Sequence, residues 1–362
     1  MRDIKQENID QNNLEIANKK IVLKSMPRVA HITITNRCNL NCRMCFLDRK
    51  QQWDFPEKSI KELLEIMPYL QRVLWQGGEV FLHKHFLSLL DTAASYNIHQ
   101  SITTNGLLFT EELIEKMIKY EVFLKISIDS VKTDVYEGIR VGAKFTNLIN
   151  ILEKFKIIRQ KYNNNFVYVM TVVVMKSNYT EIEEMVKFAH KYGFDMIDFN
   201  PIGFDIRVVN EQIFSDDYDK NIIDEIRTYI DSAAKLANTL GIKLNSCLPI
   251  ETKKESEPDI EDNKDAKNTV VVQNNKEESI QLECNAPWKA FFIDSYGVYK
   301  PACQCMALSS FVDLENTSLL ELWNSQLMQN YRNIIKNGEM NSKCSWQCRL
   351  NVADKARKFL ID

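Results

Sequence analysis

Between residues 29 and 200 the chain repeats one pattern: a short apolar run, then a segment with helical spacing. The runs are VAHITIT (29–35), RVLWQ (72–76), IHQSITT (98–104), VFLKISID (122–129), FVYVMTVVVM (166–175) and FDMIDFN (194–200). Among the intervening segments, PEKSIKELLEIMPYL (56–70), TEELIEKMIKY (110–120) and TEIEEMVKFAHKYG (180–193) bring an apolar residue round every three or four positions. Thr110 and Thr180 stand where helix N-caps are expected, and Gly193 where a helix should stop. Six strand–helix units in a row admit few folds. The strands must lie parallel, in an α/β sheet or a barrel, complete or partial. In such folds the chemistry sits at the C-terminal ends of the strands.

The rest of the chain divides by composition. Residues 1–27 form a polar N-terminal extension, 28–215 the α/β unit, and 216–250 a linker helix and its connection. Residues 251–280 carry nine acidic and five basic side chains and no aromatic. They read as a mobile, solvated insertion, with a binding tail for a basic partner as the rival. Residues 281–350 are too few and too rich in cysteine to make a robust apolar domain alone, which suits a metal-stapled module, and 351–362 form a tail. The net charge of −3 supplies no basic field for nucleic acid or anionic lipid. No apolar run approaches the roughly 18 residues of a membrane span, and the N-terminus lacks the apolar stretch of an export signal. A cytoplasmic protein without nucleic-acid or membrane partners is expected.

That compartment matters for the nine cysteines, because in a reducing environment clustered thiols bind metal or do redox work. Cys38, Cys42 and Cys45 fall in CNLNCRMC, directly after the first strand and so on the active face. Three thiolates from one loop can hold three irons of a cubane and leave the fourth open to another ligand. Structural zinc normally takes four ligands, and no fourth Cys or His lies close by: His31 is in the strand, His83 and His85 far along the chain.

CNLNCRMC resembles the signature of the radical S-adenosylmethionine (SAM) superfamily, which places C-x3-C-x2-C after the first strand of a partial barrel. WQGGEVFLH (75–83), at the end of the second strand, resembles that superfamily's Gly-Gly-Glu motif. The resemblance implies a partial (β/α)6 TIM-like barrel, a 4Fe-4S cluster on Cys38, Cys42 and Cys45, and SAM bound to its open iron. Gly77, Gly78 and Glu79 would hold the SAM amino group, glycine allowing close backbone approach and a carboxylate suiting an ammonium. TTNG (103–106) and KISIDS (125–130) are similar to segments near the SAM ribose and carboxylate, which nominates Asn105, Ser127 and Asp129. Arg140, in YEGIRVGAKF, resembles an arginine that pairs with the SAM carboxylate. Met44 stands where the superfamily usually has an aromatic residue and would fill the same space near the adenine. The implied reaction cleaves SAM reductively to a 5′-deoxyadenosyl radical, which takes a hydrogen atom from the substrate. A flavodoxin- or ferredoxin-type electron donor is the expected partner.

The second cysteine group resembles the auxiliary-cluster module of the SPASM and twitch branches of that superfamily. Cys284, a hairpin turning at Gly297, Cys303, and the late pair Cys344 and Cys348 would give four thiolates, the number one closed auxiliary 4Fe-4S cluster requires. The hairpin cysteine is usually one position earlier, where Ala302 stands, and Cys305 is left as a spare. Structural zinc remains the alternative for this module. Such enzymes oxidise or epimerise sugars and aminocyclitols, or modify ribosomal peptides and protein side chains. Peptide enzymes often carry an N-terminal recognition domain longer than the residues preceding the first strand. The expected substrate is therefore a small polar molecule, with a peptide as the alternative; a non-catalytic iron–sulfur or zinc scaffold is the reading from another class. Cys305 and Cys247 are the thiols left to donate a hydrogen atom. His83, His85, Tyr168, Asp198 and Asn200 are expected to point into the cavity, with no catalytic base singled out.

Overall fold

The computed structural model describes residues 3–47, 52–202, 210–214, 219–250, 284–294, 298–301 and 310–338. Cys303, Cys305, Cys344, Cys348 and Gly297, the insertion 251–280 and the tail lie outside the described residues.

In chain order the strands are β1 (Val29–Thr35), β2 (Arg72–Gly77), β3 (His99–Thr104), β4 (Phe123–Ser127), β5 (Val167–Val174), β6 (Met196–Pro201), β7 (Lys243–Ser246), β8 (Ala290–Ile293), β9 (Val298–Lys300) and β10 (Ser310–Phe311). The helices are α1 (Ile4–Ala17), α2 (Glu57–Ile66), α3 (Phe86–Ser95), α4 (Glu111–Lys119), α5 (Thr133–Ile139), α6 (Phe145–Arg159), α7 (Ile182–Lys191), α8 (Lys220–Leu240), α9 (Ala286–Lys289), α10 (Leu319–Trp323) and α11 (Gln326–Lys336). One sheet holds all ten strands in the order β10-β9-β8-β1-β2-β3-β4-β5-β6-β7. From β1 to β7 every neighbour is parallel. The chain is thus mixed α/β with an open parallel sheet, as a partial barrel requires.

The apolar periodicity builds this arrangement directly. On one face of the sheet Ala30, Ile32, Ile34, Val73, Trp75, Ile102, Leu124, Ile126, Met170, Val172, Ile197 and Phe199 are at most 1% exposed. The helices that cover them bury residues at helical spacing, such as Ile114, Met117 and Ile118 of α4. Each large side chain so enclosed contributes roughly 1.5–3 kcal/mol. Thr110 caps α4, accepting from Leu113 N at 3.2 Å, and Gly193 follows α7 with φ +73°, a left-handed stop. Thr180 does not cap α7. It lies inside a 3₁₀ turn, Tyr179–Glu181, that precedes the helix.

Two features depart from the sequence reading. A seventh parallel strand, β7, follows α8 in what reads as a connection; KLNS is too short and too polar to announce itself. β8 joins the sheet beside β1 and parallel to it, so the C-terminal hairpin β8–β9 extends the barrel sheet.

The N-terminal segment is built into the same end of the molecule. Asn12 Nδ2 donates to Trp288 O at 2.7 Å, and Trp288 Nε1 donates to Lys20 O at 2.7 Å. The Asn324 amide forms a reciprocal pair with the Leu23 backbone, at 2.9 and 2.8 Å. Among the described residues, no helix is long and apolar enough to cross a membrane.

Candidate active site around the cysteine loop

β1 delivers the chain into the loop bearing Cys38, Cys42 and Cys45, none of which is in a disulfide. Three neighbouring segments hold this loop. From β2, Gly78 N donates to Thr35 O and Glu79 N to Arg37 O, both at 2.8 Å. At the end of α5, Val141 O accepts from Asn41 N at 2.8 Å and Ile139 O from Arg43 N at 2.9 Å. From the end of β3, Asn105 Nδ2 donates to Asn39 Oδ1 at 2.8 Å and lies 3.9 Å from Cys38 Sγ.

The two glycines answer to this packing first. A Cβ on Gly77 would lie 2.2 Å from Thr35 O, and one on Gly78 2.2 Å from Arg37 O. Gly77 also has φ +150°. The close approach that glycine permits here is of one protein segment to another, whereas the sequence reading reserved it for a ligand.

The Glu79 carboxyl is turned to the end of β3. The side chain is fully buried. Thr104 Oγ1 lies 2.8 Å from both carboxylate oxygens, and Asn105 N donates to Oε2 at 2.9 Å. Burial pushes this carboxyl up to about 7, against the hydrogen bonds from Asn105 and Thr104. The carboxylate therefore ties the end of β2 to the end of β3, and its backbone is what this residue turns toward the cysteine loop.

Arg140, at the end of α5, is 5% exposed, and its Nη2 meets Asp129 Oδ2 at 2.7 Å. Burial raises the Asp129 carboxyl and the guanidinium partly offsets it. Asp129 Oδ1 accepts from Val173 N at 2.9 Å, which fixes the pair to β5. Arg140 Nη1 lies 3.9 Å from Cys42 Sγ. Burial also raises the Cys42 thiol, and Cys45 and Cys38 are close enough to add to that, while Arg140 opposes it. Met44 packs against Ile139, Met175 and Ile202, an apolar patch beside the loop. Ser127 ends β4, in register with Thr171 of β5.

The structure thus brings Cys38, Cys42, Cys45, Met44, Gly77, Gly78, Glu79, Asn105, Asp129 and Arg140 round one loop. Other expected cavity residues go elsewhere. Tyr168 is buried on the opposite face, stacked on Phe194 and Phe155. His83 is buried, and His85 turns outward to Glu57 at 2.9 Å. Asp198 and Asn200 do lie on the inner face with Ser127 and Thr171. Thr104 and Tyr136 belong to the site and were missed. Thr104 adjoins the nominated Asn105, and Tyr136 precedes Arg140 by one helical turn, which is the signal that could have found it.

The residues fit an iron–sulfur cluster with a bound anionic group. The donor set is three thiols on one loop. Among the described residues no three or more His, Cys, Asp or Glu side chains gather as a single metal ion requires. Beside Cys42, Arg140 Nε and the Tyr136 hydroxyl are buried without a partner, polar capacity turned to no protein group.

Fold and site together define a class, α/β partial-barrel proteins that present three thiols where the first strand ends. The radical SAM superfamily pattern matches residues 32–243, and the chain belongs to that superfamily. The SPASM iron–sulfur cluster-binding domain matches residues 284–349. The chain is 26% identical over 328 residues to the tungsten-containing aldehyde ferredoxin oxidoreductase cofactor-modifying protein of Pyrococcus furiosus, covering 85% of this chain and 83% of that one. It is 28% identical over 167 residues to mycofactocin maturase MftC of Mycolicibacterium smegmatis, covering 44% of this chain. It spans 41% of that maturase and at most 60% of several curated relatives it matches. Streptococcus suis SuiB bound to S-adenosylmethionine has the same fold, with a TM-score of 0.61 at 18% identity over 91% of this chain and 72% of that one. The cofactors of this enzyme are accordingly a 4Fe-4S cluster and SAM, with auxiliary iron–sulfur bound by the C-terminal domain.

Proposed function

We propose that this enzyme cleaves SAM reductively and abstracts a hydrogen atom from a polar substrate held on the inner face of its sheet. Cys38, Cys42 and Cys45 would hold the cluster, and Arg140, Asp129, Asn105, Ser127, Met44 and the Gly77–Glu79 backbone would hold SAM. When bound, these groups supply a 5′-deoxyadenosyl radical that takes the substrate hydrogen. The protein's own part is positioning and exclusion of water. The buried Asp129–Arg140 pair orients a guanidinium at the thiols, and Glu79, Thr104 and Asn105 lock the loops of β2 and β3 against the cysteine loop.

The observation that carries this reading is the convergence on one loop of three thiols and a buried arginine whose Nε has no protein partner. Cys284, Cys303, Cys344 and Cys348 would bind one auxiliary 4Fe-4S cluster, aiding oxidation or epimerisation. For the substrate, the inner face is polar along three adjacent strands, with Thr171, Asp198 and Asn245 in one register. That suits a small hydroxyl- or amine-bearing molecule of the sugar or aminocyclitol kind. A peptide is the second reading, supported by the maturase among the relatives. A flavodoxin- or ferredoxin-type protein would deliver the electron.

Anaerobic reconstitution followed by reduction with dithionite in the presence of SAM tests the reading. The expected result is 5′-deoxyadenosine from the wild type and none from Cys42→Ala. Full release by Cys42→Ala, or none by the reconstituted wild type, overturns it. Deuterium transfer into 5′-deoxyadenosine from a labelled aminocyclitol or a labelled precursor peptide separates the two substrate classes.

A further inference from the structure

Lys125 occupies the middle of β4, where the strand pattern calls for an apolar or neutral side chain. Its register neighbours on either side are Thr103 and Val169. The side chain reaches sideways along the sheet. It passes over β5, across two strand spacings or about 10 Å of sheet, to Asp198 Oδ2 on β6 at 3.1 Å. Asp198 Oδ1 accepts from Asn245 Nδ2 of β7 at 2.9 Å. Beneath this strut Asn200 Nδ2 donates to Thr171 Oγ1 at 3.2 Å. The aliphatic stem of Lys125 turns the ammonium to 5.6 Å from the Phe123 ring.

Stability does not account for this arrangement. The side chains are 33% and 12% exposed, and ion pairs open to that degree are worth about 1 kcal/mol or less. An aliphatic residue in a central strand would serve the fold as well. The bonding pattern instead leaves capacity on one side. Both Asp198 oxygens are engaged, while an ammonium has three N–H donors and one of them is on Asp198. The charged strand residues of the inner face are mostly of the same sign. By strand alternation Arg72, Lys243 and Lys300 share the inner face with Lys125, and among the described strand residues Asp198 is its one acid.

We propose that Lys125, braced by Asp198 and Asn245, anchors the substrate of the hydrogen-abstraction reaction through a carboxylate or phosphate group. This rests on the reading above that the substrate lies on the inner face, and it adds the charge of the molecule. The cysteine loop and its SAM-binding neighbours occupy the ends of β1 to β4, and the Lys125 strut spans β4 to β7, so the anchored group lies on the part of the floor left to the substrate.

Titration calorimetry on the full chain, cluster-reconstituted and SAM-bound, with inorganic phosphate and with glutarate as probes, tests the proposal. At least one anion should bind the wild type and bind Lys125→Met roughly tenfold more weakly, the size of one charge-assisted hydrogen bond. Lys125→Arg should restore most of the affinity, and Lys119→Met, a change on exposed α4, should bind as the wild type does. Phosphate alone identifies a phosphorylated substrate, glutarate alone a carboxylated one. Equal binding by Lys125→Met with native circular dichroism, or no binding of either anion by the wild type, overturns the anchor. Release of 5′-deoxyadenosine is scored separately: release without anion binding overturns only the anchor, and anion binding without release overturns only the radical reading.

Discussion

Two arginines are buried at opposite ends of the sheet, and their surroundings differ. Arg332 of α11 is fully enclosed. Its Nε donates to Pro287 O at 2.9 Å, Nη1 to Ile21 O at 2.8 Å and Asn324 Oδ1 at 3.0 Å, and Nη2 to Trp323 O at 2.8 Å. Every acceptor is uncharged, and burial pulls its pKa down to about 10, which leaves it a cation at neutral pH. It lies over the Trp323 ring at 4.9 Å, a favourable seat for a desolvated charge. Arg140 instead faces a carboxylate and a thiol and keeps a buried Nε unbonded. One guanidinium is a strut whose donors are taken up by the chain itself. The other is held at one edge only, and the remaining edge is what a bound group can use. Burial alone therefore does not mark an arginine as functional; unfilled donor capacity beside reactive atoms does.

Substitutions should separate the two arginines. Arg332→Met removes four hydrogen bonds and strands the carbonyls of Ile21, Pro287 and Trp323, for a loss of about 4 kcal/mol. Urea unfolding should show it, with SAM affinity of the folded fraction unchanged; an unmoved midpoint would mean that Arg332 is no strut. Gly78→Ala forces a Cβ onto Arg37 O and should cost about 3 kcal/mol. Iron bound per chain should fall as the cysteine loop is displaced, and retention of full iron at an unchanged midpoint would dissolve the interlock of β2 with that loop.

Arg140→Met should cost less, about 2 kcal/mol, because Asp129 can take up a proton once its partner is gone. SAM binding should weaken more than tenfold, as loss of a charge-assisted contact implies. If SAM binds equally well to the Arg140 and Arg332 variants, the distinction between the two arginines fails. Glu79→Gln tests an effect that appears only as pH is varied. The Glu79 carboxyl titrates near 7 in the fold against 4.5 for the ordinary group, so the folded chain keeps a proton that the unfolded chain releases. Its contribution to stability is full below about 4.5 and is lost as pH rises to about 7, with a slope of at most about 1.4 kcal/mol per pH unit. Subtracting the Glu79→Gln profile from the wild type should isolate that fall; a difference that rises with pH would mean that the carboxyl is ionised in the fold.

What could be read locally was read well. The 29–35 run is β1 to the residue, the cysteine loop follows it, and Thr110 caps α4. The apolar period is set by backbone geometry and caps by neighbours within one turn, so both are written in short windows. α1 escaped because it has no apolar stripe and buries Asn8, Asn12 and Glu15. Those residues are inside because their partners are, among them Met26, Ser25 and Trp288.

The parallel α/β class, the place of the three thiols and the Gly-Gly-Glu segment one strand later are all written in local residue order. Long-range packing alone makes the glycines serve a contact between segments, turns Glu79 inward to Thr104, and locks the residues before β1 against α9 to α11. It also turns Tyr168 away from the cavity and Lys125 across it. Each of these depends on which atoms from distant segments meet, and a hydrogen bond between Leu23 and Asn324 leaves no trace in the spacing of either.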